Sequence, residues 1–180
     1  MSIKYEALVG HLFIVGGRSI TTHPPGAKVQ IPPRRVHRSR EQDTLFVLIT
    51  PAGKTNAKAA FFEALASLAC DTYFKSRLGV TGALRDATNA LNEYVQETNQ
   101  RQASDLRAGA LLLVKRSEEV YLMRAGPTLC AVKHASGFET FPTDPGMLNM
   151  LPLGTRSEPL LEFTHYSLSP DDIFLLGDTG

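Results

Sequence analysis

The sequence of 180 residues contains no tryptophan, only two cysteines and no long apolar run. Cys70 and Cys130 lie far apart, form no C-x-x-C motif and follow no secretory signal, which favours a reduced protein. No run approaches the roughly 20 apolar residues that a membrane-spanning helix needs. We therefore expect a cytoplasmic protein in which this segment does not span a membrane.

An excess of charge of one sign is also missing. The 19 Lys and Arg residues and the 18 Asp and Glu residues leave a formal net charge of +1. Such a chain has no global attraction for nucleic acid or an anionic membrane, so a nucleic-acid partner is not expected. A local basic run could still contact phosphate groups on a partner. Its arginines are Arg34, Arg35, Arg38 and Arg40. A solvated loop is the simpler interpretation, because no aromatic residues interleave with them.

Familiar catalytic motifs are absent as well. No G-x-S-x-G segment occurs, and the histidines show no spacing typical of metal ligands. Gly53-Lys54-Thr55 matches only the end of a phosphate-binding loop, because Leu48 stands where the first glycine would be. The sequence therefore gives no support to a nucleophilic hydrolase or a P-loop enzyme.

The clearest feature that is present is an apolar, β-favouring run from Thr44 to Thr50, ended by Pro51 and Gly53. It predicts a buried strand, a tight turn and then a helix capped by Thr55 or Asn56. Turns of this kind often carry ligand-binding groups. This one offers a hydroxyl, a proline and an alanine, with no acid, histidine or cysteine.

The remaining chain divides into helical and extended segments. Helical spacing predicts helices from Ala57 to about Lys75 and from Thr81 to about Gln102. A period of two then predicts antiparallel strands joined by short hairpins. Strands are predicted at 5–15, 108–115, 119–125, 128–133, 138–140, 160–168 and 172–176. Residues 18–43 are predicted to form a long Pro- and Arg-rich loop with room for a short strand at 28–31. This order indicates a single α+β domain over residues 1–180, with the helices covering one sheet.

Four segments carry a further pattern, namely Leu45–Gly53, Ala108–Leu113, Val120–Thr128 and Ser169–Gly180. In order and spacing they resemble four landmarks of the PPM-type (type 2C) metal-dependent protein phosphatases. These landmarks are the strand leading into D-G-x-G-G, the G-[ST]-T strand, the hairpin L-x-x-x-N-V-G-D-S and the strand P-G-D-x-L-L-L-x-S-D-G. The resemblance covers nearly the whole chain.

The resemblance implies a PPM-like α/β/β/α sandwich of two antiparallel sheets flanked by helices, truncated at its C-terminus. In that family, aspartates hold two magnesium or manganese ions, and a metal-bound water attacks phosphoserine or phosphothreonine. Hard divalent cations prefer oxygen ligands, and carboxylates supply the charge that offsets dehydration of the ion. Two-metal chemistry also needs an anionic ligand between the ions.

The acids of these motifs are missing here. The aspartate of D-G-x-G-G aligns with Thr50 and its first glycine with Pro51, which leaves Gly53 as a remnant of the motif. The aspartate of G-D-S aligns with Pro127, and that of S-D-G aligns without gaps with Thr179. The segment 18–23, which is closest to the family's N-terminal R-x-x-N-E-D, also has no acid. The resemblance therefore implies a degenerate site without a catalytic residue.

We interpret the chain as a catalytically inactive pseudophosphatase that takes no cofactor. Clustered carboxylates repel one another without a cation, so a site that has lost its metal is expected to lose them together. The chain would act as a regulatory or protein-interaction module of a longer, bacterial-type polypeptide, with a protein partner that the sequence does not identify. Phosphate or nucleic-acid binding through the basic run is one alternative.

Asp178 keeps another alternative open. If the alignment slips by one residue, Asp178 becomes a metal ligand, and the chain would be a divergent Mg- or Mn-dependent serine/threonine protein phosphatase. It would then use further acids beyond Gly180. A turn residue is the simpler interpretation of Asp178, and turn or cap roles are likewise expected for Asp43, Asp171 and Asp172.

Overall fold

The computed structural model of this chain describes residues 5–179. The helices are α1 (Ala59–Lys75) and α2 (Val80–Gln102). The strands are β1 (Phe13–Val15), β2 (Arg18–Ile20), β3 (Ala27–Gln30), β4 (Asp43–Pro51), β5 (Ala108–Arg116), β6 (Glu119–Ala125), β7 (Thr128–His134), β8 (Gly137–Phe141), β9 (Glu162–Ser167) and β10 (Ile173–Asp178). Two short 3₁₀ turns span Arg38–Arg40 and Pro145–Asn149.

Antiparallel pairing organises these strands into two main sheets. The larger sheet has the order β3-β4-β5-β6-β9, and the smaller has the order β10-β7-β8. β1 and β2 form a separate hairpin. Short hairpins connect β5 to β6 and β7 to β8, as the period of two predicted.

One hydrophobic core lies between the larger sheet and the two helices. Alternate residues of β4, namely Leu45, Val47 and Ile49, point into this core and are almost completely buried. Leu65 of α1 and Leu91 of α2 are fully buried against them. The side chains that alternate along β4 and those that repeat at helical spacing on α1 and α2 therefore pack together in one apolar layer.

A second core lies between the two sheets. The larger sheet contributes Leu111, Leu113 and Leu122, and the smaller contributes Cys130 and Val132. The predicted α+β class and the sandwich of two antiparallel sheets are therefore confirmed.

The outer face of the smaller sheet is open in the described part of the chain. Phe138, Ile173 and Leu175 are 70%, 56% and 66% exposed there. Residues 5–179 thus supply one helix layer of the predicted α/β/β/α order.

Three local predictions differ from the structure. The strand predicted over residues 5–15 is confined to Phe13–Val15, because it pairs only with the three residues of β2. The segment 18–43, predicted as a loop, contains β2, β3 and a 3₁₀ turn, since β3 gains a partner in β4. Helix α1 begins after Lys58 without a side-chain cap, whereas the Thr55 hydroxyl accepts a hydrogen bond from the Ala57 amide one turn earlier.

Asp43, predicted to be a turn or cap residue, is instead fully buried in a cluster of polar side chains. Its carboxylate accepts hydrogen bonds from Arg116 Nη2 and the Tyr73 hydroxyl, both at 2.7 Å, and lies 3.5 Å from Arg40 Nη1. Arg40 also donates to the Leu78 carbonyl at the α1–α2 connection. The prediction was wrong because Tyr73 and Arg116 lie 30 and 73 positions away along the chain.

Among residues 5–179, neither helix combines the length and the apolarity that crossing a membrane requires.

Candidate functional site

Strand pairing brings most of the degenerate positions to one end of the sandwich. Thr50 of β4 pairs with Gly109 of β5, and Thr128 of β7 pairs with Asp178 of β10. Gly109 lies close to one residue of each pair. A Cβ atom on it would lie 2.9 Å from Thr50 Oγ1 and 2.7 Å from Thr128 Cγ2. The two sheets therefore converge at this end.

The turn between β6 and β7 closes the same end. The Thr179 amide donates a hydrogen bond to the Pro127 carbonyl at 3.3 Å. We call the residues that meet here the sandwich mouth, and they are Thr50, Gly109, Pro127, Thr128, Asp178 and Thr179. Pro51 pairs with Ala108 at the exposed rim, and Gly53 lies in the exposed turn beyond it with φ +81.

The buried polar groups of the mouth are neutral hydroxyls. Thr50 is 6% exposed, and its Oγ1 has no hydrogen-bond partner. Thr128 is fully buried, and its Oγ1 lies 3.5 Å from the carbonyl oxygens of Ala110 and Ala125. A hydroxyl can donate and accept hydrogen bonds, but it carries no negative charge at neutral pH. Asp178 supplies a carboxylate at the exposed edge of the mouth.

Next to the mouth lies a buried arginine that the sequence did not reveal. It connects β6 to β9 and to two backbone carbonyls. Arg124 of β6 is fully buried, and its Nη1 lies 3.1 Å from Glu162 Oε2 on β9. Its Nη2 donates to the carbonyls of Met147 and Gly126 at 2.7 and 3.2 Å. Burial lowers the pKa of Arg124, and the nearby Glu162 partly opposes that effect. A single charge inside the otherwise apolar stretch Val120–Ala125 was the signal that could have identified it.

The four arginines of the basic run do not form one surface. Arg34, Arg35 and Arg38 are exposed. Arg40 is fully buried because it lies against Asp43 and over the ring of Tyr73, with 4.6 Å from its Cζ to the ring centroid. The expectation that Arg40 contacts phosphate is therefore corrected, since its guanidinium is already occupied inside the protein.

The basic run also lies far from the sandwich mouth. Its 3₁₀ turn is fastened beside Asp43 at the start of β4, because Arg116 donates to the Ser39 carbonyl. Thr50 lies seven residues further along the same strand, roughly 23 Å away at 3.3 Å per residue. The two candidate sites are consequently at opposite ends of the sheet.

Comparison with known proteins identifies the fold. No family model matches the chain, and no curated protein matches its sequence. Stp1, a serine/threonine phosphatase from Staphylococcus aureus, matches with a TM-score of 0.61 and 11% identity, covering 92% of this chain and 74% of Stp1. PppA, described as a key regulatory component of the T6SS in Pseudomonas aeruginosa, matches with a TM-score of 0.56 and 18% identity, covering 83% of this chain and 74% of PppA.

A third solved structure bears on the cofactor. The catalytic domain of the serine threonine protein phosphatase PstP, in complex with 2 manganese ions, matches with a TM-score of 0.56 and 15% identity. It covers 83% of this chain, and 74% of the PstP chain is covered in turn. Taken together, these matches confirm the predicted PPM-like fold.

The prediction that the chain takes no cofactor is wrong in the light of the PstP structure, because a chain of this fold does bind manganese. The side chains found in the mouth do not fit a two-metal centre. Within residues 5–179, no group of three or more His, Cys, Asp or Glu side chains is arranged to hold a metal ion. No reaction step through a metal ion follows from these residues. The further acids expected beyond Gly180 lie outside the described residues, as does Gly180 itself.

Proposed function

We propose that this chain is a PPM-fold module that does not hydrolyse phosphoesters and that acts by binding another protein in a regulatory assembly. The observation that carries this proposal is the chemistry of the sandwich mouth. Thr50, Pro127 and Thr179 occupy positions where the resemblance implies aspartates, and none of the three carries a charge. PppA, which has the same fold, is described as a regulatory component of the T6SS, and this description supports a regulatory role.

The chemistry of hydrolysis explains why this set of residues argues against turnover. Attack on a phosphate ester needs a group that activates water and charges that stabilise the transition state. The Thr50 hydroxyl is buried without a hydrogen-bond partner, and proline offers neither a proton acceptor nor a charge. The mouth is therefore suited to hydrogen bonding and packing.

A turnover assay tests this proposal. Residues 1–180 are incubated with p-nitrophenyl phosphate, and separately with a phosphothreonine peptide, in the presence of Mn²⁺. The catalytic domain of PstP serves as the active control. We expect no release of phosphate above that of a buffer blank. Mn²⁺-dependent release that rises in proportion to the concentration of the chain would contradict the proposal.

The position of Asp178 favours one alternative, a divergent metal-dependent serine/threonine phosphatase. Asp178 pairs in register with Thr128 and is exposed at the edge of the mouth. If turnover is found, Asp178→Asn should abolish it while Asp171→Asn should not. Asp171 is an exposed acid in the preceding turn with φ +65, a conformation that asparagine also adopts. Equal turnover in both variants would remove Asp178 from consideration.

The exposed arginines remain a proposed contact surface for the partner. Arg34, Arg35 and Arg38 project from a loop whose base is held by the buried Arg40. Guanidinium groups pair well with carboxylates and phosphates, so an acidic or phosphorylated protein segment is the ligand that this surface suits. Nucleic acid is the alternative ligand with the same phosphate chemistry.

A further inference from the structure

His134, at the end of β7, lies between two carboxylates. Its Nδ1 is 2.9 Å from Asp172 Oδ1, and its Nε2 is 3.1 Å from Glu139 Oε1. A neutral imidazole has one N–H and one lone pair, so one ring nitrogen would present its lone pair to an anionic oxygen. Only the doubly protonated imidazolium is attracted to both carboxylates at once.

The two carboxylates belong to different segments. Glu139 lies on β8, whereas Asp172 ends the turn 169–172 that leads into β10. The Asp172 side chain is 1% exposed, and its Oδ2 accepts a hydrogen bond from the Ser169 amide at 2.8 Å. His134 Nδ1 and Asp172 Oδ1 form an ion pair when the imidazole is protonated. His134 thus connects the β7–β8 hairpin to the start of β10.

The other groups around His134 do not replace this charge. The ring of Tyr166 on β9 lies 6.2 Å from the imidazole, centroid to centroid. Lys133 is adjacent on β7, and its side chain points to the opposite face because residues alternate along a strand. Ile173, which pairs with Lys133, lies on that opposite face as well. The polar groups placed around His134 are therefore two carboxylates and one phenol.

We propose that His134 is a proton-dependent clasp that fastens the turn 169–172, and with it the first residues of β10, to the β7–β8 hairpin. This inference goes beyond the proposed function, because it concerns the control of one strand whatever the chain binds. Among the described strands β10 pairs with β7 alone, so no strand on its other edge holds its start. The opposite end of β10 carries Asp178 into the sandwich mouth.

The direction of the pH effect follows from the same contacts. Asp172 first, and then Glu139, raise the pKa of His134 above its usual 6.5. A group whose pKa is raised on folding stabilises the folded state fully below its unfolded pKa. That stabilisation is lost as the pH rises through the folded pKa. The clasp is therefore closed in mildly acidic solution and opens in alkaline solution.

Nuclear magnetic resonance on residues 1–180 tests the clasp in two ways. The ring protons of His134 give its pKa in the unaltered chain, which we expect to lie above 6.5. Amide hydrogen exchange at Ser169 and Asp172 is then compared between the unaltered chain and His134→Gln at equal pH, which cancels the intrinsic pH dependence of exchange. We expect the variant to lose about two- to five-fold in protection near pH 5.5, as for a partly exposed ion pair. Near pH 9 the two chains should agree.

His165→Gln is the matched control. His165 lies on β9 and forms an ion pair with Glu119 on the neighbouring strand, away from the turn 169–172. Its replacement should leave protection at Ser169 and Asp172 unchanged. A pKa of His134 at or below 6.5 would overturn the proposal. Equal protection at these two amides in His134→Gln and the unaltered chain near pH 5.5 would overturn it too.

Discussion

At the scale of single residues, Gly109 shows how tightly the sandwich mouth is packed. Its missing side chain leaves just enough room for Thr50 Oγ1 and Thr128 Cγ2, which come from different sheets. Any Cβ at this position would push both threonines apart. The mouth is therefore a packed junction between the sheets.

Gly109→Ala should consequently destabilise the chain. The added methyl group would lie 2.7–2.9 Å from the two threonines, and overpacking of this kind costs about 1–3 kcal/mol. Urea unfolding followed by circular dichroism measures the change. Gly177→Ala is the control, because Gly177 also lies in a strand and has nothing within 4 Å of its Cβ position. Equal unfolding midpoints for the two variants would show that the junction is loose.

Arg124 gives a second prediction for a single residue. Arg124→Leu leaves the largely buried carboxylate of Glu162 without its cationic partner and removes two hydrogen bonds to carbonyl groups. Breaking a buried pair in this way typically costs about 3 kcal/mol. Thermal or urea unfolding checks the value. The matched control is Arg101→Leu, which breaks the exposed pair with Glu97 and should cost less than about 1 kcal/mol.

At the scale of elements, the sequence predicts what depends on local periodicity. Both helices, and most strands from β4 onward, lie within a few residues of their predicted positions, because apolar residues repeat at the helical or the strand period. Prediction failed where an element depends on a distant partner. β3 forms because it pairs with β4. Asp43 is buried because Tyr73 and Arg116 contact it from other elements.

For the candidate site, too, local sequence predicted some features and missed those that depend on distant contacts. The motif order predicted the fold, and antiparallel pairing then explains how Thr50 and Asp178 come to one end of the sandwich. Sequence could not separate Arg40 from Arg38, because burial of one arginine depends on the fold around it. It also could not place His134 between Asp172 and Glu139, since two of these residues follow turns whose geometry decides the contact.

The loop that carries the exposed arginines supports a prediction about binding. Replacing Arg34, Arg35 and Arg38 together with Ser should weaken binding of an acidic or phosphorylated peptide and leave stability nearly unchanged, since all three are exposed. Fluorescence anisotropy of a labelled phosphopeptide, measured at two salt concentrations, gives the affinity and its salt dependence. An equivalent single-stranded oligonucleotide distinguishes the nucleic-acid alternative.

Arg40→Leu provides the contrast for that experiment. It leaves Asp43 with fewer cationic partners and should lower stability through the buried cluster that also contains Arg116 and Tyr73. Its effect on peptide binding should then follow only from loss of fold, detectable by circular dichroism. If the triple Ser variant binds the peptide as tightly as the unaltered chain, the loop is a solvated connection and the partner surface lies elsewhere.

At the scale of the whole molecule, one sheet is shared by two cores. β4 and β5 present Leu45 and Leu112 to the helices and Phe46 and Leu111 to the smaller sheet. Neither core can lose this sheet without the other being exposed. The two layers are therefore expected to unfold together, as small single domains usually do.

The two cysteines report on this cooperativity, because each lies in a different core. Cys70 is buried on α1 against the larger sheet, and Cys130 is buried between the sheets. Burial raises the pKa of Cys70 to about 11 and that of Cys130 to about 12, so neither thiol is a reactive thiolate near pH 8 in the folded chain. We expect both to remain unlabelled by a thiol reagent in buffer and to become reactive at the same urea concentration.

Variants that keep only one cysteine show which thiol gives which labelling signal. In Cys130→Ala only Cys70 is labelled, and in Cys70→Ala only Cys130, so each core is followed separately against urea. Each curve is compared with unfolding of its own variant by circular dichroism, which removes any difference in stability between the two. If the shared sheet couples the cores, each labelling curve coincides with the unfolding curve of that variant. Labelling of Cys130 well below its unfolding midpoint would mean that the smaller sheet detaches first, since its outer face is covered by no described element and Phe138 and Leu175 are exposed there.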